Sequence, residues 1–104
     1  MKLRYTPAAI ADLEEIKSYV ADKLLNPDAA ANLMASIAAA CALLKDQPLP
    51  SPELRHILHR EIDERFLIHK KYMIIYEVTD AVSILRVLDT RTDYLNVLLH
   101  ELQD

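Results

Sequence analysis

Glycine is absent from this chain of 104 residues. Loops that cradle phosphate groups, such as the Walker A loop and the dinucleotide-binding loop, need glycine so that the backbone can approach the phosphates closely. The sequence therefore excludes the nucleotide-hydrolysing and nicotinamide-binding proteins that depend on these loops.

Cysteine is nearly absent as well, because Cys41 is the only one. It can form neither an intramolecular disulfide nor a cysteine metal cluster, and it falls on an apolar helix stripe where we expect an inert, buried thiol. No stretch approaches the roughly 18 uncharged apolar residues of a membrane span, and the charged N-terminus does not resemble a signal peptide. We expect a cytoplasmic protein with no membrane contact, no cofactor and no metal.

The composition indicates a folded globular chain, with 52% hydrophobic and 27% charged residues. Its length predicts a single domain over residues 1–104. The formal net charge of −4 argues against a protein that coats nucleic-acid phosphates along its whole surface.

The first half of the chain predicts a strand followed by two helices. Residues 2–5 alternate polar and apolar side chains, as in a short strand. Thr6-Pro7 and Asn26-Pro27 are helix entries, because the polar side chain caps a free N–H and proline lacks one. We predict that the first helix runs to about Leu24, that Asp12 lies on its solvent face, and that the two helices form an antiparallel hairpin. The predicted core stripes contain Ala9, Leu13, Ile16, Val20 and Leu24 in the first helix, and Ala30, Leu33, Met34, Ile37, Cys41 and Leu44 in the second.

In the second half of the chain, the pattern of apolar residues changes to the one that is typical of β-strands. Three prolines within residues 48–52 end the second helix. The runs RFLIHK, YMIIYEV and VSILRVL follow with short breaks, which predicts a three-stranded antiparallel meander. Residues 93–102 have the apolar stripe of a short C-terminal helix. The fold class is therefore α+β.

The strand YMIIYEV is apolar on both sides of its pleat, which is typical of a strand covered on both faces. Tyr72 and Ile74 point to one face, and Met73 and Ile75 point to the other. Because two helices can cover only one face, we expect the C-terminal helix or a partner protein to cover the other.

The order of these elements resembles the RelE/ParE superfamily of bacterial type II toxin–antitoxin toxins. The resemblance rests on YTPAAIADLEEIKSYV, ERFLIHKKYMIIYEV and ILRVLDTRTDYLNVLL, and the range from the first of these segments to the last spans most of the chain. It implies a toxin neutralised by a cognate antitoxin, with which it would form a hetero-oligomer. Two modes of action stay open: ParE-like binding of DNA gyrase, which we favour, and cleavage of mRNA on the ribosome by a metal-independent, RelE-like endonuclease.

The resemblance also suggests site residues. A nuclease would use Arg65 and Arg91 as catalytic cations, since a guanidinium matches phosphate oxygens, with Glu61, Glu64 or His69 as the base. A protein-binding toxin would use Arg91 for binding or structure, because Asp89 and Asp93 flank it and favour a local ion pair. The candidate binding residues are Lys70, Lys71, Tyr72, Met73, Tyr76 and Tyr94.

Overall fold

The structure is a computed structural model, which describes residues 2–46 and 64–91. The predicted connector at 48–52 and the predicted C-terminal helix at 93–102 lie outside these residues. None of the described helices is long and apolar enough to span a bilayer. The elements are β1 (Lys2–Tyr5), α1 (Pro7–Ser18), a π-helical turn (Tyr19–Lys23), α2 (Pro27–Leu43), β2 (Arg65–His69), β3 (Tyr72–Val78) and β4 (Ala81–Asp89).

Both helices begin where the sequence predicts. The Thr6 hydroxyl accepts a hydrogen bond from the Ala9 N–H at 3.2 Å and donates one to the Leu85 carbonyl at 2.9 Å. Asn26 Oδ1 likewise accepts from the Ala29 N–H at 3.1 Å. Thr6 therefore has two roles, since it caps α1 and also joins that helix to β4.

The end of the first helix differs from the prediction. It does not continue as an α-helix to Leu24 but changes at Tyr19 into a π-helical turn. A π turn inserts about one extra residue, which rotates the following side chains around the axis by roughly 100°. Leu24 is consequently 54% exposed instead of buried on the core stripe. The next residue, Leu25, is 83% exposed and has φ 53°, in the left-handed region.

The sheet has the strand order β1-β4-β3-β2. Strands β2, β3 and β4 form the predicted antiparallel meander, and β1 pairs with β4 in parallel. Without glycine, Lys70 takes the left-handed conformation in the turn between β2 and β3, with φ 56°. The register of β4 against β3 shifts beside Ile75 and Tyr76, which is a β-bulge.

The main core lies between the helices and one face of the sheet. Ile37 and Cys41 of α2 pack there with Tyr72, Ile74 and Tyr76 of β3. Burial raises the pKa of the Cys41 thiol, as expected for an inert cysteine. The cluster also contains Ala9, Ala40, Leu44, Val82, Ile84 and Val87.

The other face of β3 is covered too. Met73 is 1% exposed and Ile75 is 2% exposed, so the chain itself buries these side chains. The prediction that β3 is covered on both faces is confirmed. Of the two expected covers, the partner protein is wrong for Met73 and Ile75, because neither side chain is left open to receive one; the C-terminal helix lies outside the described residues.

Candidate functional site: the groove between α1 and β4

A groove of about 670 Å³ opens between α1, its π-helical turn and the end of β4. Ile16, Tyr72, Val87 and Leu88 give it apolar walls. Its charged and polar lining residues are Asp12, Glu15, Ser18, Tyr19, Asp22, Lys23, Arg86, Asp89 and Arg91. We call this surface the α1–β4 groove.

An ion pair between Asp12 and Arg86 forms one wall of the groove. Arg86 donates from Nε to Asp12 Oδ2 at 2.7 Å and from its terminal nitrogen to Oδ1 at 2.9 Å. Only 11% of the Asp12 side chain and 16% of the Arg86 side chain are exposed. The prediction that Asp12 lies on the solvent face of α1 is therefore wrong, because the carboxylate turns inward to Arg86.

Asp12 also closes the edge of β4 beyond the end of β1. Strand β1 pairs with β4 only as far as Tyr5 and Ile84. Past that point the Thr6 N–H donates to the Ile84 carbonyl at 3.0 Å, and Asp12 Oδ2 accepts from the Val87 N–H at 2.9 Å. Side-chain and loop groups thus replace the strand partner that β1 no longer provides.

Arg91 lies at the exit of β4 and is bound to Asp89. The Asp89 carboxylate accepts from the Arg91 backbone N–H at 2.8 Å and from its terminal guanidinium nitrogen at 2.8 Å. These hydrogen bonds from Arg91 hold the pKa of Asp89 below its ordinary value. The local ion pair predicted for Arg91 therefore forms with Asp89, whereas Asp93 lies outside the described residues.

The turn between β2 and β3 lies beside Arg91. The Lys71 carbonyl accepts from the Thr90 N–H at 2.8 Å and from the Thr90 hydroxyl at 3.0 Å. The Lys71 ammonium lies 5.7 Å from the centre of the Tyr72 ring, within cation–π range. Lys70 is exposed on the same turn. Lys70, Lys71, Tyr72 and Arg91 are therefore gathered at one end of the sheet.

The other predicted catalytic cation lies elsewhere. Arg65 is aligned with Tyr76 at the start of β2, whereas Tyr72, four residues earlier in β3, is aligned with Asp89. At about 3.3 Å per strand residue, the level of Arg65 is about 13 Å from that of Asp89. The structure does not bring Arg65 and Arg91 together.

The remaining predicted binding residues differ in accessibility. Met73 is 1% exposed and Tyr76 is 0% exposed, so neither has surface to offer a partner. Tyr72 is 3% exposed, but it does line the groove. Tyr94 lies outside the described residues.

Of the predicted general bases, the structure describes Glu64 and His69, and neither is hydrogen-bonded to Arg91. His69 Nε2 lies 2.6 Å from the Ser36 hydroxyl, in a half-buried contact that joins β2 to α2. Glu64 immediately precedes β2 and is thus at the Arg65 end of the sheet, whereas Glu61 lies outside the described residues. No set of three potential metal ligands is found among the residues that the structure describes.

Sequence reasoning missed the helix side of the groove. Glu15, Tyr19, Asp22 and Lys23 line it, and helical periodicity alone assigns no role to them. Tyr19 is 51% exposed. A large aromatic side chain among charged helix residues was the available signal, since such residues often mark binding surfaces.

Comparison with known proteins agrees with this architecture. The family model described as the ParE toxin of the type II toxin–antitoxin system parDE matches residues 3–94. The chain belongs to the ParE toxin family. The match covers nearly all of the described strands and helices, and it confirms the resemblance to the RelE/ParE superfamily.

A solved structure shares the ParE-family fold of this chain. It is titled as the chromosomal ParDE toxin–antitoxin system from P. aeruginosa, and it matches with a TM-score of 0.72 and 21% sequence identity. The match covers 86% of this chain and 95% of that one. No curated protein sequence matches. At this identity the solved structure supports the fold, and the family model supports the assignment as a toxin.

Proposed function

We propose that this ParE-family protein inhibits growth by binding a protein target such as DNA gyrase, and that a cognate antitoxin neutralises it. The family supports the role as a toxin with an antitoxin partner. The proposal adds the target and the mode of action. It also implies a cytoplasmic protein, because gyrase acts on DNA in the cytoplasm.

The pairing of Arg91 with Asp89 is the observation that carries this proposal. A phosphate-cleaving site needs cations whose charge is available to the developing phosphorane. Here the Arg91 guanidinium donates from two of its nitrogens to Asp89, at 2.8 and 3.1 Å. That carboxylate already occupies the bidentate face with which arginine recognises phosphate.

The charges of the groove favour a protein partner as well. Among the described residues that line it, four are carboxylates (Asp12, Glu15, Asp22, Asp89) and three are cations (Lys23, Arg86, Arg91). An RNA backbone would meet this excess of negative charge at close range. A protein surface can instead combine apolar contacts with matched charges.

One observation favours the alternative, a ribosome-dependent mRNA endonuclease. Lys70 and Lys71 lie in the turn next to Arg91, where they could accompany a phosphate. His69, which precedes this turn, is bonded to Ser36, and the second predicted cation, Arg65, is at the far end of β2. We therefore rank cleavage second and propose Lys70 and Lys71 as contacts for a protein target.

A growth experiment combined with an mRNA assay tests this choice. The protein is induced in a bacterial host with and without the neighbouring open reading frame, and codon-linked mRNA cleavage is followed by primer extension in a translation extract. Arg91→Ala is compared with Arg4→Ala, which removes an exposed arginine that lies 3.7 Å from Asp80.

We expect growth arrest that the neighbouring gene relieves, with intact mRNA in the extract. Cleavage that the wild type and Arg4→Ala produce but Arg91→Ala does not would contradict the proposal and establish the nuclease. Normal growth with intact mRNA would contradict both modes of action.

A further inference from the structure

We propose that two copies of this chain associate through the outer edge of β2, so that their sheets join into one continuous sheet. Strand β2 stands last in the order β1-β4-β3-β2, and none of the described strands pairs with its outer side. We call the segment Glu64–Lys70, with its outward backbone groups, the β2 edge. The association involves no target, so it is independent of the proposed function, although the two surfaces share Lys70.

The backbone of β2 has groups that can pair with another strand. His69 and Tyr72 flank a two-residue turn, which makes them a hydrogen-bonded pair, and such pairs alternate with non-hydrogen-bonded pairs along an antiparallel ladder. The N–H and carbonyl groups of Phe66 and Ile68 consequently point away from β3. Two antiparallel β2 edges, with Leu67 opposite Leu67 of the second copy, would join these groups in reciprocal hydrogen bonds.

The apolar side chains of β2 match in the same register. Phe66 and Ile68 are aligned with Ile75 and Met73 of β3, so they lie on the sheet face away from the helices. Each Phe66 would lie opposite Ile68 of the second copy, and pairs of an aromatic and a β-branched side chain stabilise a sheet. Ile68 is 48% exposed and Phe66 is half-buried, so both have apolar surface that pairing would cover.

The charges at the two ends of β2 match as well. Glu64 immediately precedes the strand and Lys70 immediately follows it, so each Glu64 would lie opposite Lys70 of the second copy. Arg65 would lie opposite His69, and Lys71 would lie opposite a position outside the described residues. The attraction between two copies therefore rests on the two contacts between Glu64 and Lys70.

The opposite edge of the sheet does not match itself. Strand β1 exposes Lys2 and Arg4 and contains no acidic residue. Two β1 edges would bring like charges together, which is a common way in which proteins prevent pairing of edge strands. The β2 edge instead has an acidic residue at one end and a basic residue at the other, which favours a second copy as its partner.

The helix layer above β2 also has exposed apolar surface on this side. Ser36 contacts His69, which places that flank of α2 above β2. Ala39 and Leu43 follow Ser36 by three and seven residues and therefore lie on the same flank. Leu43 is 69% exposed, and the small Ala39 would let α2 of the second copy approach closely. Joining two β2 edges would bury apolar surface in both layers.

Sedimentation equilibrium of the full chain tests the association. One strand and one helix flank per copy form a small contact compared with the roughly 1,200 Å² of stable complexes, so we expect a reversible dimer. The average mass should rise with concentration from 11.9 kDa toward twice that value. In hydrogen exchange followed by NMR, the amides of Phe66 and Ile68 should exchange quickly in the dilute protein and become protected as the dimer forms.

A charge swap identifies the surface. Glu64→Lys and Lys70→Glu should each weaken dimerisation by about 10-fold, because each replaces two attractive contacts by two repulsive ones. The double variant Glu64→Lys/Lys70→Glu should restore it. The two residues are six positions apart, about 20 Å along an extended chain, so an ion pair within one copy cannot produce this restoration. Glu14→Lys is the matched control, since Glu14 is exposed on α1, and it should change little.

Ile68→Lys tests the apolar contact separately. The side chain is 48% exposed, so this variant should stay folded by circular dichroism and lose the dimer, because the lysine would face Phe66 of the second copy.

Three results would overturn the inference. A mass of one chain at all concentrations would contradict the dimer, and protection of the Phe66 and Ile68 amides only after addition of the neighbouring antitoxin would assign the edge to that protein. Protection that does not depend on concentration would assign it to another segment of the same chain. A dimer that the charge swaps and Ile68→Lys leave unchanged would use another surface. These measurements need no toxicity, so growth arrest by a strictly monomeric protein would refute this inference alone.

Discussion

Removing the Asp12 carboxylate should destabilise the protein severely. Asp12→Ala leaves the Arg86 guanidinium without its bidentate partner and the Val87 N–H without its acceptor. Breaking a buried ion pair costs about 3–5 kcal/mol, and leaving a buried N–H unpaired costs about 1–3 kcal/mol. Both side chains keep some exposure, 11% and 16%, through which water can reach the charge that is left.

We therefore expect a loss of about 3 kcal/mol in the free energy of unfolding. For a domain of this size, 1 kcal/mol corresponds to about 4–8 °C in Tm, so Tm should fall by roughly 12–24 °C. Urea unfolding followed by circular dichroism measures the free energy directly. Asp12→Asn should lose less, because its amide oxygen can still accept from the Val87 N–H.

Asp80→Ala is the matched control for an exposed ion pair. Asp80 lies 3.7 Å from Arg4, and its side chain is 91% exposed. We therefore expect Asp80→Ala to lower the free energy of unfolding by less than about 0.5 kcal/mol. The double variant Asp12→Ala/Arg86→Ala should lose less than the sum of the two single variants, since the two side chains are in direct contact and both single variants break the same pair. A stability of Asp12→Ala within about 0.5 kcal/mol of the wild type would refute the reasoning.

Three further predictions concern the thiol, the hairpin tip and the strand exit. Because burial raises the pKa of Cys41, its alkylation at pH 8 should track global unfolding, and fast labelling of the native protein would contradict its burial. Leu25→Asn should raise the free energy of unfolding by about 0.5–1 kcal/mol, since asparagine tolerates positive φ better than leucine. A lower free energy of unfolding in urea for this variant would contradict the backbone strain at Leu25. Arg91→Ala should return the pKa of Asp89 toward about 3.9 in an NMR titration. The wild-type pair should stabilise the fold above about pH 4 and lose this effect as the pH falls through the depressed pKa of Asp89, so an unchanged Asp89 titration would contradict the pairing.

The elements of the fold could be predicted because each depends on local sequence. Thr6-Pro7 and Asn26-Pro27 mark the two helix starts through capping chemistry, and the structure has both. Strand-like apolar runs separated by short breaks mark the three-stranded meander in the same way. These signals lie within a few residues of the elements that they determine.

The site depended on contacts between distant parts of the chain. Asp12 and Arg86 are 74 positions apart, so helical periodicity placed Asp12 on the solvent face when its partner lay on β4. The π-helical turn was missed for a related reason. Its extra residue rotates Leu24 out of the core, and no residue from Tyr19 to Lys23 has an intrinsic preference that marks it.

Arg91 shows both the value and the limit of local reasoning. Its flanking acids correctly predicted an ion pair, because Asp89 is only two residues away and can reach both the backbone and the guanidinium. The sequence could not show that Lys71 and Tyr72 would lie beside it. That proximity requires the pairing of β3 with β4, which aligns Tyr72 with Asp89.

A supercoiling assay with purified DNA gyrase tests the central claim most directly. The chain is titrated into the reaction at a fixed gyrase concentration, and the neighbouring antitoxin is then added in equimolar amounts. The account predicts dose-dependent loss of supercoiling that the antitoxin restores. Unchanged supercoiling at saturating protein, in a preparation that still arrests growth, would contradict it.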